Sequence, residues 1–309
     1  MIESIANNKK LFGYEKIFED LINNYIKNTF PTKLLLSGPK GIGKSTFAQY
    51  FINFILYNNS IINKKNIDYN TFLNCSNILN KYLNQNFLYI NLLEDKKAIE
   101  IDQIRSLIKS SQKKSLNSNK RFILIDNVEK LNKHSSNALL KILEEPYDDM
   151  FFLLIHDSQS KILETIKSRC LIFNINFSYE KTLDIASKAL NLSINDYISR
   201  NMLNNYMSVG DIIYLYNFSN NNNIDLKNIS LKDYVNFIVN DKLYKKDPGI
   251  LFFLVRLIEF FFYQNFLYTK NIKYYNLYKY FSLKFFNAYK YNLDFEILFL
   301  EIKKKVFNE

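Results

Sequence analysis

Residues 34–46 read Leu34-Leu35-Leu36-Ser37-Gly38-Pro39-Lys40-Gly41-Ile42-Gly43-Lys44-Ser45-Thr46, an apolar run that feeds a glycine loop and ends in a basic residue and two hydroxyls. The spacing G-x-x-x-x-G-K-[ST] is met by Gly38, Gly43, Lys44 and Ser45. Such a loop folds its backbone N–H groups inward around a polyphosphate, which is why Gly38, Gly41 and Gly43 are needed. Lys44 then reaches the β- and γ-phosphates, and the Ser45 hydroxyl serves as a ligand to Mg²⁺. Downstream, Phe47, Ala48, Phe51, Ile52, Ile55 and Leu56 recur at helical spacing. A buried strand therefore leads through the loop into a helix whose N-terminus faces an anion, and bound ATP or ADP with Mg²⁺ is expected.

A second apolar run ends in a carboxylate, Arg121-Phe122-Ile123-Leu124-Ile125-Asp126, the pattern of a fully buried parallel strand. An acid at the C-terminal end of such a strand lies where ligands bind in open α/β sheets, so Asp126 is expected to order Mg²⁺ through water. Phe87–Ile90 and Phe151–Ile155 read as further strands, the latter ending at His156. Helices are expected over Lys10–Thr29, with Gly13 as a turn near its start, from an N-cap at Asp102, over Ser136–Glu145 before Pro146, and over Ile162–Ile166. Beyond Asn174 the alternation stops. Short helical patterns follow over Ser178–Phe218, then a solvated Ser219–Asn223 break, then an all-helical segment from Leu231 to Phe307 rich in Phe and Tyr. The aromatic, lysine-rich stretch Lys273–Tyr291 admits a nucleic-acid stacking surface, but a helical bundle core is the preferred reading.

At 309 residues the chain is long enough for two or three domains. The 41 Lys+Arg against 30 Asp+Glu give a net charge of +11, which admits a polyanionic partner, although the Lys-, Asn-, Ile-, Tyr- and Phe-rich composition is also what an AT-rich genome imposes. Cys75 and Cys170 are far apart, too few for a disulfide framework, and a zinc site is not expected. Met1–Lys10 lacks the apolar core of a secretory leader, so a cytoplasmic location is expected. Leu251–Tyr268 is the membrane candidate, but Arg256 and Glu259 interrupt it and a buried helix is expected there.

With the phosphate loop, the Asp126 strand, Asn137-Ala138-Leu139-Leu140-Lys141-Ile142-Leu143-Glu144-Glu145-Pro146 and Ser168-Arg169-Cys170 in this order, the chain resembles the bacterial clamp-loader AAA+ family of DNA polymerase III, of the delta-prime type. The resemblance covers most of residues 10 to 175 and includes Leu11-Phe12-Gly13 and Ile101-Asp102-Gln103-Ile104-Arg105. It implies an AAA+ α/β domain with a parallel sheet over residues 1–174, a helical lid over 175–223 and an all-α collar over 224–309 that holds subunits in a ring. Gamma/tau and delta subunits in a hetero-pentamer, the sliding clamp and primed DNA are the implied partners. Arg169 matches the family's arginine finger, which acts on ATP bound by a neighbouring subunit.

Departures are as informative. Motors of this family follow the strand's Asp with a Glu that activates water, whereas Asn127 stands here and cannot accept a proton. The lid arginine has its counterpart in Ser208-Val209-Gly210-Asp211, which ends in Asp211. His156 replaces a polar strand-end residue and serves either to sense phosphate or simply to end the strand. A clamp-loader subunit that binds nucleotide but turns it over slowly is expected. The rival readings are an active gamma/tau-type motor and a P-loop small-molecule kinase, the second of which leaves the helical C-terminal third unexplained.

Overall fold

The computed structural model describes residues 11–57, 86–93, 96–111, 120–147, 149–246 and 248–307. The expectations placed on Met1–Lys10 and on Cys75 lie outside these residues. The chain divides into two compact units: residues to Leu192 together with Tyr206–Ile213, and Ser193–Asn205 together with Tyr214 onward.

The first unit is built on five parallel strands, β1 (Lys33–Gly38), β2 (Phe87–Ile90), β3 (Arg121–Ile125), β4 (Met150–Asp157) and β5 (Leu171–Asn174), in the order β2-β3-β4-β1-β5. Because strand side chains alternate between faces, each central strand supplies two cores. Leu34, Leu36, Phe122, Leu124, Leu153 and Ile155 pack with Phe18 and Ile22 of α1 (Glu15–Ile26) and Phe47, Phe51 and Ile55 of α2 (Lys44–Tyr57). Leu35, Ile123, Ile125, Phe152 and Leu154 pack with Ile104 and Leu107 of α3 (Ile101–Ser111) and Leu139, Ile142 and Leu143 of α4 (Lys133–Glu144). Helices on both faces explain why these strands read as unbroken apolar runs. A short α5 (Glu164–Lys167) leads into β5, and α6 (Tyr179–Leu190) follows.

Two local expectations are corrected, and one strand is added that no sequence pattern named. The helix expected to start from an N-cap at Asp102 begins at Ile101, with Asp102 in its first turn. Gln103 reaches back to accept the Glu100 N–H at 3.1 Å, so the backbone is capped two residues earlier and Asp102 pairs instead with Arg105. α4 starts at Lys133, capped by Asn132, whose side chain accepts from the Ser135 N–H. β5 continues the alternation to Asn174 after the Ser-Arg-Cys tripeptide; its pairing with β1, not an internal pattern, makes it a strand, and Leu171 and Ile172 remain exposed.

The second unit is helical: α7 (Ile194–Tyr197), the larger part of α8 (Val209–Asn221), then α9 (Leu231–Asn240), α10 (Leu243–Lys246), α11 (Pro248–Thr269), α12 (Ile272–Tyr291) and α13 (Phe295–Ile302). Ser219, expected in a solvated linker, lies inside α8 and is buried with its hydroxyl 3.1 Å from the Tyr234 hydroxyl. α11 is long and apolar enough to cross a membrane by length and composition alone. Its Ile250, Leu254, Leu257, Ile258 and Phe262 are buried in the bundle, and Glu259 accepts from the Ser282 hydroxyl at 2.7 Å. Phe262 stacks on Phe281 of α12 at 5.6 Å. The bundle-core reading of 273–291 holds for one stripe only: Phe281, Phe285 and Ala288 are buried, while Tyr275, Tyr278, Tyr280, Phe286, Tyr289 and Tyr291 are exposed. Lysines lie over several of these rings, Lys279 on Tyr275 at 4.7 Å and Lys284 on Tyr280 at 4.6 Å, which keeps the surface both aromatic and charged.

Candidate nucleotide site

β1 carries the chain to Gly38, the loop turns, and α2 begins at Lys44. Gly41 and Gly43 adopt φ of 82° and 89°, the left-handed region that a glycine enters without steric cost. Space is a further constraint at Gly38, where an added Cβ would lie 2.2 Å from the Ile175 carbonyl oxygen. Lys44 is buried, and its Nζ donates to the carbonyls of Gly38 at 2.7 Å and Pro39 at 2.6 Å, so the ammonium is folded against its own loop. Burial pushes the Lys44 pKa down, opposed by the charges of Asp157, Glu129 and Asp126. Ser45 sits at the start of α2 and its hydroxyl accepts from Gln49 Nε2 at 3.1 Å, while Thr46 is exposed.

Asp126 follows β3, one strand removed from β1 across β4, and is half-buried with the Tyr89 hydroxyl 3.4 Å from its Oδ2. The strand ends thus bring Gly38, Gly41, Gly43, Lys44, Ser45 and Asp126 to one edge of the sheet. The Ser45 hydroxyl and the Asp126 carboxylate are hard oxygen donors of the kind Mg²⁺ takes, and the cation's charge suits an edge where three carboxylates act on Lys44. Asn127 holds φ of 60°, which Asn tolerates better than most residues, and its amide donates to Asn91 Oδ1 at 2.9 Å.

His156 is buried, and both of its ring nitrogens are engaged by the protein. The Ser160 carbonyl can only accept, so Nε2 donates to it at 3.0 Å, and Nδ1 meets the Ser37 hydroxyl at 3.1 Å. The residue therefore ties the end of β4 to β1. The Ser208–Asp211 turn is placed against the phosphate loop, with Gly210 N–H donating to Gly41 O at 2.8 Å. Its own ends are closed reciprocally: Asp211 Oδ2 accepts from the Ser208 N–H and hydroxyl, and Ser208 Oγ accepts from Asp211 N–H. Tyr14, which periodicity gave no reason to single out, supports the loop from beneath. It stacks on Phe47 at 4.7 Å and donates its hydroxyl to Ile42 O at 2.9 Å.

Arg169 is not part of this cluster. Its guanidinium donates to Thr165 O at 2.8 Å and pairs with Glu144 at the end of α4. Neighbouring Cys170 is half-buried, and burial pushes its thiol up to about 11. Among the described residues no group of three or more His, Cys, Asp and Glu is arranged to hold a metal ion.

A family model described as DNA polymerase III, delta subunit matches residues 13–178, more than half of the chain. The chain belongs to that family. Within it the chain is 31% identical over 235 residues to DNA polymerase III subunit gamma of Buchnera aphidicola from Schizaphis graminum, covering 71% of this chain and 61% of that protein. It is 31% identical over 137 residues to DNA polymerase III subunit delta' of Pseudomonas aeruginosa, covering 44% of this chain and 40% of that one. The chain thus spans less than two thirds of the length of either relative. A solved structure of a gamma subunit-related protein from Thermotoga maritima is similar with a TM-score of 0.42 at 16% identity, covering 79% of this chain and 72% of that one.

Proposed function

We propose that this chain is a clamp-loader subunit of DNA polymerase III, of the delta-prime type, acting in DNA replication in the cytoplasm. It binds ATP or ADP with Mg²⁺, turns nucleotide over slowly by itself, and lends Arg169 to the nucleotide of a neighbouring ATPase. The observation that carries this reading is the pairing of a complete phosphate loop with a strand-end Asn127 whose amide is committed to Asn91. Binding machinery is intact while the ordinary water-activating position is silent. The backbone of Gly38–Gly43 and the Lys44 ammonium would hold the phosphates. Ser45 and Asp126 would hold the cation, which supplies charge neutralisation between the phosphates. Arg169 is paired with Glu144 away from the loop and would exchange that partner for the nucleotide of a second chain.

In this reading gamma/tau and delta subunits complete a hetero-pentameric ring that opens the sliding clamp at primed DNA, with the C-terminal helices as the collar. The length of similarity to gamma proteins favours a second reading, an active motor of the gamma/tau type. Two measurements test the first. Calorimetry should show Mg·ATP binding to the wild type and its loss in Lys44→Ala; no binding at millimolar ligand would reject the nucleotide reading. Steady-state turnover by the isolated chain at a motor's rate would select the second reading instead.

A further inference from the structure

The chain turns sharply after Asp126. Asn127 is left-handed and faces Asn91, Val128 is buried in the sheet's core, and the one-turn 3₁₀ helix Val128–Lys130 brings Glu129 back over the strand ends. There Glu129 Oε2 accepts the Asp157 N–H at 3.3 Å. Asp157 is in register with Gly38 on β1, and the Ser158 N–H donates to the Gly38 carbonyl at 3.1 Å. That carbonyl also receives the Lys44 ammonium at 2.7 Å. A half-buried carboxylate is therefore one backbone hydrogen bond from the strand pair that opens the phosphate loop. Its charge also reaches Lys44, together with those of Asp157 and Asp126.

We propose that Glu129 is the proton acceptor for ATP hydrolysis at this site, in the place that Asn127 cannot fill. The proposal rests on the reading that the loop binds ATP. In the step, a water oxygen forms a bond to the γ-phosphorus as the bond from that phosphorus to the β,γ-bridging oxygen breaks. The electron pair leaves with ADP, the water proton passes to a Glu129 carboxylate oxygen, and inorganic phosphate is the second product. Asp157 N–H orients the carboxylate through Oε2, and the proton passes to the oxygen that this bond does not engage. Because Glu129 lies on a turn three residues beyond Asp126, and not next to it, the step is slow compared with a motor's.

The test uses the full chain in excess over trace Mg·ATP, followed through a single turnover, beside calorimetric ATP affinity and thermal unfolding. Glu129→Gln should slow hydrolysis by about 10²-fold or more, leave the ATP dissociation constant within about twofold, and leave ATP, not ADP, on the reisolated protein. Glu129→Asp should recover part of the rate. Asn127→Gly, which suits the left-handed backbone and deletes the amide, should hydrolyse within a few-fold of wild type. Wild-type protein that binds ATP but holds it uncleaved for hours overturns the proposal, as does equal hydrolysis by Glu129→Gln and wild type; in both cases the nucleotide reading survives. Loss of ATP affinity in Glu129→Gln as large as its loss of rate also overturns it, since Glu129 would then only brace the Asp157 backbone. No ATP binding by the wild type removes the nucleotide reading and this proposal together.

Discussion

Tyr14 shows how one side chain can set the shape of a binding loop from outside it. Its hydroxyl is fully buried against the Ile42 carbonyl, and burial pushes its pKa far above the usual phenol range, so it remains a donor. Tyr14→Phe keeps the stack on Phe47 but leaves that carbonyl without its partner, a loss of about 1–3 kcal/mol. Thermal unfolding should shift down by several degrees, and calorimetry should show weaker Mg·ATP binding. Arg169 is a contrasting case. Its pair with Glu144 is partly exposed, so it contributes at most about 1 kcal/mol. Glu144→Gln should leave the melting temperature almost unchanged while freeing the guanidinium.

Among the elements, α12 and α13 depend on both packing and charge. Phe281 is fully buried between Phe262 and Phe285, and truncating it to Ala should cost about 3–5 kcal/mol, read as a lower urea midpoint of the helical signal. Two carboxylates bind the bundle's basic residues. Hydrogen bonds from Lys242 and Lys245 hold the Glu296 carboxyl at about 2. For Glu301, burial pushes upward, but Lys284, Lys305 and Tyr280 outweigh it and hold the carboxyl at about 2. A carboxyl depressed on folding from its ordinary value of about 4.3 adds stability above that value and loses it as pH falls towards 2. The urea midpoint should therefore drop between pH 5 and pH 2 more steeply in the wild type than in Glu296→Gln/Glu301→Gln.

Within the whole molecule, the proposed arginine finger predicts a defect visible only in company. Arg169→Ala should leave this chain's folding and nucleotide binding intact. In a loader reconstituted with gamma/tau and delta it should reduce DNA-stimulated ATPase and slow clamp loading without preventing assembly. In-trans arginines contribute about 10³- to 10⁵-fold in GTPases; the loss here should be smaller because other sites in a ring keep their own. Lys161→Ala, which removes a nearby exposed charge, is the control, and equal behaviour of the two variants would dismiss the finger.

What the sequence determined by itself is what short-range chemistry fixes. Gly38–Gly43 must turn where it does because glycines at that spacing free the backbone; β3 and β4 must be buried strands because Phe122–Ile125 and Phe151–Ile155 are unbroken apolar runs; and α4 must end before Pro146. Interactions between distant residues needed the tertiary structure. β5 has only three apolar residues and becomes a strand through its bonds to β1. Gly210 meets Gly41 across 169 positions of sequence (210 − 41), a closeness that no local pattern encodes. Glu129 reads as an ordinary polar turn residue until the Asp157 backbone is seen beside it. The aromatic residues of α12 look alike in sequence, and packing against α11 and α13 separates the buried stripe from the exposed rings, because burial depends on which face a neighbour covers.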